Sequence, residues 1–329
     1  MRMSGNEQRR DSWSRYWQGG ALHSCAGSFE GNYGDSIGAF WRSVFEPLKA
    51  TDRVLDIATG NGALPRLLLD TRTTALGMPE VDAIDLAAID PPWLRGCDTG
   101  VRERLRFHAG IAAESLPFAD ASFDLVISQY GLEYSDLSLS VHELLRVLKP
   151  GASVALIVHH ADSLPVRLGR AERVEIDGLL QSGGLIQRAR RLLPFLARLG
   201  TPEGAASVQR DPEAAKARQR YNEAMRELQQ RASGLAGDFL SETQQALGQI
   251  VAATPVIGQR AAETQLQALV EHLNQSRLRQ AELVAHALSA DRLQSLGQQL
   301  AQRDGLALEI AEIRVREELF GWSLRAGAQ

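Results

Sequence analysis

The feature that most constrains the fold is an apolar run that ends in a glycine turn and opens directly into an apolar helical pattern. This stretch, VLDIATGNGALPRLLL, spans Val54 to Leu69. Gly60 and Gly62 allow backbone angles and a close approach that a Cβ would obstruct, so a ligand can lie against the turn. In a dinucleotide-binding GxGxxG motif starting at Gly60, the third glycine falls on Pro65, which suits that motif's helix packing poorly. The turn favours a nucleotide-like ligand other than NAD or FAD, and an ordinary strand-to-helix turn is the alternative.

An α/β fold is predicted from residue 53 onward, where short apolar runs alternate with longer amphipathic or polar stretches. Continuous apolar runs of this length suit parallel strands covered on both faces. The predicted strands are Arg53 to Ala58, Val81 to Leu86, Leu105 to Ala109, Phe123 to Ser128, Ser153 to His159, Leu306 to Val315 and Phe320 to Ala326. A helix from Ala290 to Arg303, with Gly305 as its stop, precedes the last two strands. We therefore expect a seven-stranded, mostly parallel sheet.

The segment between the fifth and sixth predicted strands is rich in Ala, Gln, Leu, Arg and Glu and shows no convincing strand pattern. Asp211 before Pro212 is typical of a helix start. Apolar residues recur at helical spacing, with Pro255 and Gly258 interrupting the pattern. The three sets are Tyr221, Met225 and Leu228, then Leu240, Leu247 and Val251, then Leu266, Val270 and Leu273. We expect two or three antiparallel helices, forming a lid or a dimerisation module.

The amino-terminal segment carries an unusual density of aromatic side chains, which predicts that it packs on another part of the chain. These residues are Trp13, Tyr16, Trp17, Phe29, Tyr33, Phe40, Trp41 and Phe45. The predicted organisation is an aromatic-rich cap at 1–48, a core at 49–161 and 289–329, and an α-helical insertion at 162–288.

Length and composition exclude several protein classes. The chain has 329 residues, 44% of them hydrophobic and 23% charged, and no apolar run reaches the roughly 18 residues of a membrane span. The positive amino terminus lacks a following apolar stretch, so we expect no secretory signal and a cytoplasmic location. Cys25 and Cys97 are too few for a disulfide framework, and no Cys/His spacing indicates a metal. A net charge of −4 gives no electrostatic footprint for nucleic acid.

An acid suited to binding a ribose follows the glycine turn. Asp85 ends the apolar run that begins at Val81, roughly 20 or more residues past the turn, where nucleotide-binding folds place such a carboxylate. A solvated aspartate at a strand end is the alternative. Asp82 and Asp90 are the neighbouring candidates for the same role.

Three motifs occur in order along the chain: DIATGNG, AAESLPFADASFDLVIS and ELLRVLKPG. Together they resemble the core of class I S-adenosylmethionine-dependent methyltransferases, and in detail the ubiquinone and menaquinone C-methyltransferase group and related small-molecule methyltransferases. The resemblance covers about Thr51 to His160, and the final FGWSLRA resembles that family's antiparallel last strand. It implies a Rossmann-like fold and S-adenosylmethionine as cofactor.

The resemblance also implies a set of cofactor-binding residues. In that family an aspartate often begins the loop beside the adenine, and Ala112 stands there in this chain. Adenine recognition is then expected to rest on backbone groups, with Leu116 and Phe118 close by. The full set is Asp56, Ala58, Gly60, Gly62, Asp85, Leu86, Ala112, Ala113 and Gln129.

The methyl acceptor is expected beyond the carboxyl ends of the fourth and fifth strands, where open sheets of this kind provide a crevice. YGLEY at 130–134 resembles the FGLRN-like segment of the quinone enzymes but differs in its last two residues. Predicted acceptor contacts are Tyr33, Tyr130 and Glu133, and predicted catalytic residues are His159, His160, Tyr134 and His23. A histidine base would assist a hydroxyl or carbon-acid acceptor. Because side chains alternate along a strand, at most one of His159 and His160 should face the pocket, and exposed imidazoles at a strand end are the alternative.

Asp90-Pro91-Pro92-Trp93 spells the DPPW of adenine amino-methyltransferases, but there it follows the fourth strand, and here it follows the strand that bears Asp85. We therefore expect methyl transfer to a small, apolar or aromatic acceptor enclosed by the cap and the insertion. The alternatives are a peptide or protein methyltransferase that docks its substrate on the helices, and a non-catalytic cofactor-binding assembly protein. Intact Gly60, Gly62 and Asp85 favour the two enzymes. Oxygen, nitrogen and carbon acceptors, and a homodimer through the insertion, all remain open.

Overall fold

The sheet organises the protein. The computed structural model describes residues 5–24, 31–72, 77–302 and 306–328. Within them, seven strands form one sheet in the order β3-β2-β1-β4-β5-β7-β6. Their bounds are β1 Arg53–Ile57, β2 Glu80–Asp85, β3 Leu105–Ala109, β4 Phe123–Gln129, β5 Leu148–Val158, β6 Leu306–Val315 and β7 Glu318–Ala328. β1 to β5 are parallel, and β7 is antiparallel to both of its neighbours. The expected seven-stranded, mostly parallel sheet is confirmed.

Helices occupy most of the remaining described chain. They are α1 Gly5–Gln18, α2 Asp35–Phe45, α3 Ala63–Asp70, α4 Thr99–Arg104, α5 Leu137–Val147, α6 Leu164–Leu180, α7 Leu185–Arg198, α8 Pro202–Gln209, α9 Pro212–Arg231, α10 Gly237–His286 and α11 Ala290–Leu300. The predicted stop of α11 at Gly305 lies outside the described residues. The described helices include none that is long and apolar enough to cross a membrane.

Two apolar layers cover the sheet. On one face, Trp41 and Phe45 of α2 pack with Leu68 of α3 against β1 and β4. On the other face, Leu144 of α5 and Leu296 of α11 pack against the same strands. This two-sided burial explains why the parallel strands appear as continuous apolar runs. The strand order reverses between β1 and β4, so a crevice opens at their carboxyl ends.

β5 begins at Leu148, five residues before the predicted start at Ser153. Lys149-Pro150-Gly151 has the composition of a turn, and Gly151 has a φ of +76°. The pairing of β4 with β5 shifts register between Phe123 and Leu125, which accommodates this irregular start. The strand therefore continues through residues that turn propensity alone assigns to a loop.

The chain folds into two compact units. The sheet unit contains the described residues up to Val166 and those from Glu282 onward, and the helical unit is Arg167–Ala281. Chain order places α6 to α10 between β5 and β6. The helical unit has its own apolar core, to which Tyr221, Leu228 and Leu247 contribute.

The expectation of two or three helices in this segment was wrong. The helical unit contains α7, α8, α9 and most of α6 and α10. α10 comprises two helical segments that meet at Gly258, whose φ of 79° and ψ of 166° are not helical, whereas Pro255 lies inside the helix. Short turns at Gly183-Gly184 and Gly200-Thr201 separate α6 from α7 and α7 from α8, and apolar spacing alone does not reveal such turns. The predicted start of α9 is confirmed, because the Asp211 side chain accepts the backbone N–H of Glu213.

Candidate functional site

A cavity opens at the carboxyl ends of β1, β2 and β4, within the sheet unit. Its wall combines turns that follow these strands, the loop after β3 and one side of α1. The lining residues are Arg9, Arg10, Trp13, Trp17, Leu22, His23, Ser24, Tyr33, Asp56, Ile57, Ala58, Thr59, Ala63, Leu64, Asp85, Leu86, Ala87, Ile111, Ala112, Ala113, Glu114, Gln129, Tyr130, Gly131, Tyr134 and Ser135. Most of the predicted cofactor residues therefore lie around one space.

The glycine turn and Asp85 form one hydrogen-bonded structure. Gly60 has a φ of 56°, and its backbone N–H donates to Asp85 Oδ2 over 2.8 Å. The backbone N–H of Ala87 donates to Asp85 Oδ1 over the same distance. Burial raises the pKa of Asp85 to about 6, while the two backbone donors act in the opposite direction. The carboxylate is thereby held at the cavity with lone pairs remaining on both oxygens.

Trp17 of α1 lies directly on the glycine turn. A Cβ placed on Gly60 would be 2.5 Å from a ring carbon of Trp17. The Asn61 side-chain amide donates to the carbonyl oxygens of Trp17, over 2.8 Å, and of Ala21, over 2.7 Å. The end of α1 is therefore attached to the same turn that a nucleotide-like ligand would approach. The aromatic density of the segment indicated packing, but it did not indicate this contact with the turn.

Asp56 is a buried acid at the cavity wall, with only 1% of its surface exposed. Burial raises its pKa to about 8, the Thr59 hydroxyl opposes that shift, and the charge of Asp85 adds to it. Its Oδ2 has no hydrogen-bond partner among the described residues. A cationic or hydrogen-bond-donating ligand group would stabilise this carboxylate.

Two non-glycine residues beside the cavity adopt left-handed backbone angles. Ala58, after β1, has a φ of 58°, and Tyr130, after β4, has a φ of 53°. A Cβ on Gly131 would lie 2.3 Å from the Cβ of Ala58, so glycine is required at 131 for these turns to meet. Such strained positions concentrate at functional sites. Here they mark the point where the strand order reverses.

Glu133 and His159 form a buried pair beside this point. Glu133 Oε1 accepts the backbone N–H of His159 over 2.9 Å and lies 2.7 Å from its Nδ1. The His159 ring stacks on Tyr130 with 4.1 Å between centroids. Glu133 and His159 lie outside the cavity wall, whereas Tyr130 lines it. Glu133 thus orients His159 from within the fold, and Tyr130 separates the imidazole from the cavity.

His160 points away from the cavity, in agreement with the expectation that at most one of the two histidines faces it, although both lie just past the end of β5 at Val158. Its ring stacks on Trp322 with 4.3 Å between centroids, and its Nδ1 accepts the backbone N–H of Asp162 over 2.9 Å. These contacts place His160 against β7 and away from the cavity.

His23 and Tyr33 both line the cavity and stack on each other with 4.6 Å between ring centroids. His23 Nε2 lies 3.0 Å from the carbonyl oxygen of Gly31. Since a carbonyl only accepts, Nε2 carries the proton and Nδ1 is the basic nitrogen. Burial lowers the pKa of His23, which favours the neutral imidazole. Of the four predicted catalytic residues, His23 and Tyr134 line the cavity.

Arg9 of α1 connects the cavity wall to the last turns of α10, and nothing in the sequence pattern indicated it. Its Nη1 donates to the carbonyl oxygen of Tyr134 over 2.5 Å, its Nε donates to Glu282, and its Nη2 lies 3.0 Å from His286 Nε2. Trp13, one turn further along α1, packs edge-to-face on Tyr134. α1 therefore forms one wall of the cavity along most of its length.

The alternative acids and the DPPW motif have other roles. Asp82 is buried in ion pairs with Arg53 and Arg106, away from the cavity. Asp90 is exposed and pairs with Arg95. The Trp93 indole N–H donates to the carbonyl oxygen of Asn61 over 2.7 Å, so this tryptophan stabilises the glycine turn.

The remaining predictions are located as follows. Leu86, Ala112, Ala113 and Gln129 line the cavity, whereas Gly60 and Gly62 shape its edge through the turn. A Cβ on Gly62 would lie 2.7 Å from the Phe107 ring, so this glycine is required by packing. Cys97 is a free thiol, and Cys25 lies outside the described residues. The part of the chain that the structure describes contains no cluster of His, Cys, Asp or Glu suited to a metal ion.

Comparison with known proteins agrees with this geometry. Residues 55–156 match the methyltransferase domain family. This stretch, less than half of the chain, is similar to methyltransferase domains. The ubiquinone/menaquinone biosynthesis C-methyltransferase UbiE of Xylella fastidiosa is 35% identical over 121 residues, 36% of this chain and 47% of that protein. A malonyl-[acyl-carrier protein] O-methyltransferase of Enterobacter lignolyticus is 36% identical over 121 residues, 36% of this chain and 43% of that protein.

Among solved structures, YcgJ of Bacillus subtilis shares 27% identity with a TM-score of 0.32, covering 42% of this chain and 58% of that one. The chain spans about half the length of the curated relatives it matches. The methyltransferase domain match ends at residue 156, so it includes the glycine turn, Asp85 and the end of β4 but neither α1 nor the helical unit.

Proposed function

We propose that this protein transfers a methyl group from S-adenosylmethionine to a small, apolar or aromatic acceptor. The observation that carries the proposal is the joined structure of the glycine turn and Asp85 at one end of a cavity whose other walls are largely aromatic. When bound, the cofactor supplies a methyl group already activated on a sulfonium centre. The chain's own task is then to align the acceptor and exclude water.

The residues present fit this cofactor. Asp85 Oδ1 and Oδ2 each retain a lone pair that can accept a ribose hydroxyl. The short side chains of Ala112 and Ala113 leave room for an adenine ring at the cavity wall. Asp56, a buried acid with an unused oxygen, suits a cationic group.

The acceptor side is supported by aromatic walls and by a neutral histidine. Trp13, Tyr33 and Tyr134 line the cavity with flat apolar surface that suits an aromatic or apolar acceptor. His23 Nδ1 can take the proton released when a hydroxyl or an activated carbon acid is methylated. His159, oriented by Glu133, stabilises the turn that carries Tyr130 and Tyr134.

The test combines binding with product analysis. Calorimetry should show that S-adenosylmethionine and its demethylated product compete for one site and that NAD does not bind. Methyl-labelled cofactor is then offered with panels of phenols, quinols, small carboxylic acids and short peptides, and products are identified by mass spectrometry. We expect label in small aromatic or apolar compounds. Binding of NAD without the sulfonium cofactor would reject the proposal, and label confined to peptides would favour the peptide methyltransferase.

We further propose that the helical unit Arg167–Ala281 acts in acceptor recognition as a lid. The support comes from chain order, because it follows β5 while the cofactor residues of the sheet strands precede it. Replacing 167–281 by a Gly/Ser linker keeps Glu282 and His286, which contact Arg9. We expect retained cofactor binding and lost turnover, and full activity of the shortened chain would reject the lid. Solution mass of both chains would test a homodimer through these helices.

A further inference from the structure

A buried amide at the carboxyl end of β4 has an unused hydrogen-bond donor. Gln129 lines the cavity with 9% of its surface exposed, and its Oε1 accepts the indole N–H of Trp41, a fully buried residue of α2. Because an indole nitrogen only donates, this bond directs the amide oxygen to Trp41 and leaves Nε2 for another partner. Nε2 is buried and has no hydrogen-bond partner among the described residues.

An unused acceptor lies on the neighbouring strand. Ile57 of β1 pairs with Ser128 of β4, so Asp56 and Gln129 project from the same face of adjacent strands. Asp56 Oδ2 is buried and lacks a partner in the described chain. A buried donor and a buried acceptor without partners are each unfavourable, and one ligand with complementary groups would satisfy both. An α-amino acid group has this complementarity, since its carboxylate accepts and its ammonium donates.

We propose that Trp41 is a positioning residue that turns Gln129 Nε2 toward the carboxylate of the cofactor's amino-acid end, while Asp56 receives the ammonium. This inference rests on the proposed function, because it requires S-adenosylmethionine in this cavity. It assigns the pair of Trp41 and Gln129 the role of selecting a cofactor that carries a carboxylate. Glutamate at 129 could not donate, and a tryptophan replaced by phenylalanine could not hold the amide in place.

The test measures, by calorimetry, the dissociation constants of three ligands that lose the amino-acid end stepwise. They are S-adenosylmethionine, its decarboxylated form, which lacks only the carboxylate, and 5′-methylthioadenosine, which lacks the whole amino-acid end. For Gln129→Met we expect an affinity loss of about tenfold for S-adenosylmethionine and less than about twofold for the other two ligands. Gln129→Glu should reverse the preference and favour the decarboxylated form, because it places a carboxylate where the ligand's own carboxylate would lie.

Trp41→Phe tests the positioning role, and Trp322→Phe is its matched control. Both tryptophans lie outside the cavity wall and donate their indole N–H, but the acceptor of Trp322 is the backbone carbonyl of Leu288 and not a side chain that lines the cavity. We expect Trp41→Phe to weaken S-adenosylmethionine selectively by about threefold, because the amide can then rotate, and Trp322→Phe to leave all three ligands unchanged. Thermal unfolding of each variant confirms that it is folded.

Equal losses for all three ligands in Gln129→Met would overturn the inference, since they would show a general distortion of the cavity. A wild-type chain that binds S-adenosylmethionine and its decarboxylated form equally well would also overturn it, leaving the proposed function intact. If Trp41→Phe and Trp322→Phe had the same affinities for the three ligands, Trp41 would not be a positioning residue. A wild-type chain that binds none of the three ligands would overturn the proposed function, and this inference with it.

Discussion

The two ends of the cavity are built in different ways. At the end formed by β1 and β2, the backbone N–H groups of Gly60 and Ala87 both donate to Asp85, and all three residues come from two neighbouring strand ends and the turns that follow them. At the end beside β4, Arg9 meets Tyr134, Glu282 and His286, and the bond from Arg9 to Glu282 joins residues 273 positions apart. A site built from backbone leaves a spacing pattern in sequence, whereas a cluster of distant side chains leaves none.

The electrostatics of the two ends differ as well. Burial raises the pKa values of Asp56 and Asp85, so the first end holds acids whose charge is disfavoured in the folded protein. Burial, followed by the charge of Arg9, lowers the pKa of His286 at the other end. The first end is therefore suited to a ligand that brings positive charge, and the second already contains its own ion pair.

The largest expected effect is on stability as a function of pH. The pKa of Asp56 rises from 3.8 to about 8 on folding without ligand. A raised folded-state pKa stabilises the protonated form, so its contribution is complete below pH 4 and is lost as pH rises through 8. The free energy of unfolding of the wild type, relative to Asp56→Asn, should fall by several kcal/mol between pH 4 and pH 9.

Denaturant unfolding of both proteins across this pH range measures the difference, since the other titrating groups are common to both. Saturating cofactor should reduce the change of this difference with pH if the cofactor's ammonium binds Asp56. If the difference in free energy of unfolding between the two proteins did not change with pH in the absence of ligand, Asp56 would be ionised throughout this range. The two ends of the cavity would then lack the electrostatic difference described above.

The second effect concerns the glycine turn. Gly60→Ala places a Cβ 2.5 Å from the Trp17 ring at a φ of 56°. Since the turn also donates to Asp85, we expect cofactor affinity to fall by roughly a hundredfold, about 3 kcal/mol. Gly151→Ala is the matched control, because Gly151 also has a positive φ but a Cβ there meets nothing within 4 Å. Equal calorimetric affinities for these two variants would contradict the role of the turn.

A third, smaller effect distinguishes Asp85 from its neighbour. Asp85→Asn replaces one charged acceptor oxygen by an amide donor while keeping the shape, so cofactor affinity should fall about tenfold. Asp90→Asn removes an exposed partner of Arg95 and should leave affinity unchanged. Calorimetric titration of both variants decides the assignment, and a loss confined to Asp90→Asn would transfer the ribose contact to that residue.

The sequence predicted the sheet and the β1–β2 end of the cavity because both rest on local patterns. Apolar runs marked the strands, and the interval from the glycine turn to Asp85 follows from strand and helix lengths. β5 was predicted to begin too late because Pro150 and Gly151 resemble a turn, although tertiary pairing extends the strand through them. The helix count of the insertion was wrong because apolar periodicity does not mark short turns between helices.

The β4 end was predictable only in part. The predicted strand ends indicated that Tyr130, Tyr134, His159 and His160 lie near the acceptor. They did not indicate that Tyr130 lies between His159 and the cavity. Which way a histidine points depends on its buried partners, and Glu133 reaches His159 across 26 positions. The contacts of Arg9 depend on where α1 and the end of α10 meet, which no local pattern encodes.

The smallest expected effect tests whether Arg9 holds α1 over the cavity. Arg9 and Arg10 both line the cavity, but Arg9 bonds to Tyr134, Glu282 and His286, whereas the ion pair of Arg10 is with its chain neighbour Asp11 at 3.6 Å. Arg9→Met keeps the aliphatic stem and removes the donors, so α1 should open more often. Cofactor association and dissociation rates should then both rise about threefold, with little change in affinity. Stopped-flow tryptophan fluorescence, to which Trp13 and Trp17 of the cavity wall contribute, measures both rates, and Arg10→Met should match the wild type. Rates in Arg9→Met that equal those of the wild type, or equal changes in the two variants, would show that Trp17 and Asn61 alone fix α1 and that the β4 end does not control entry.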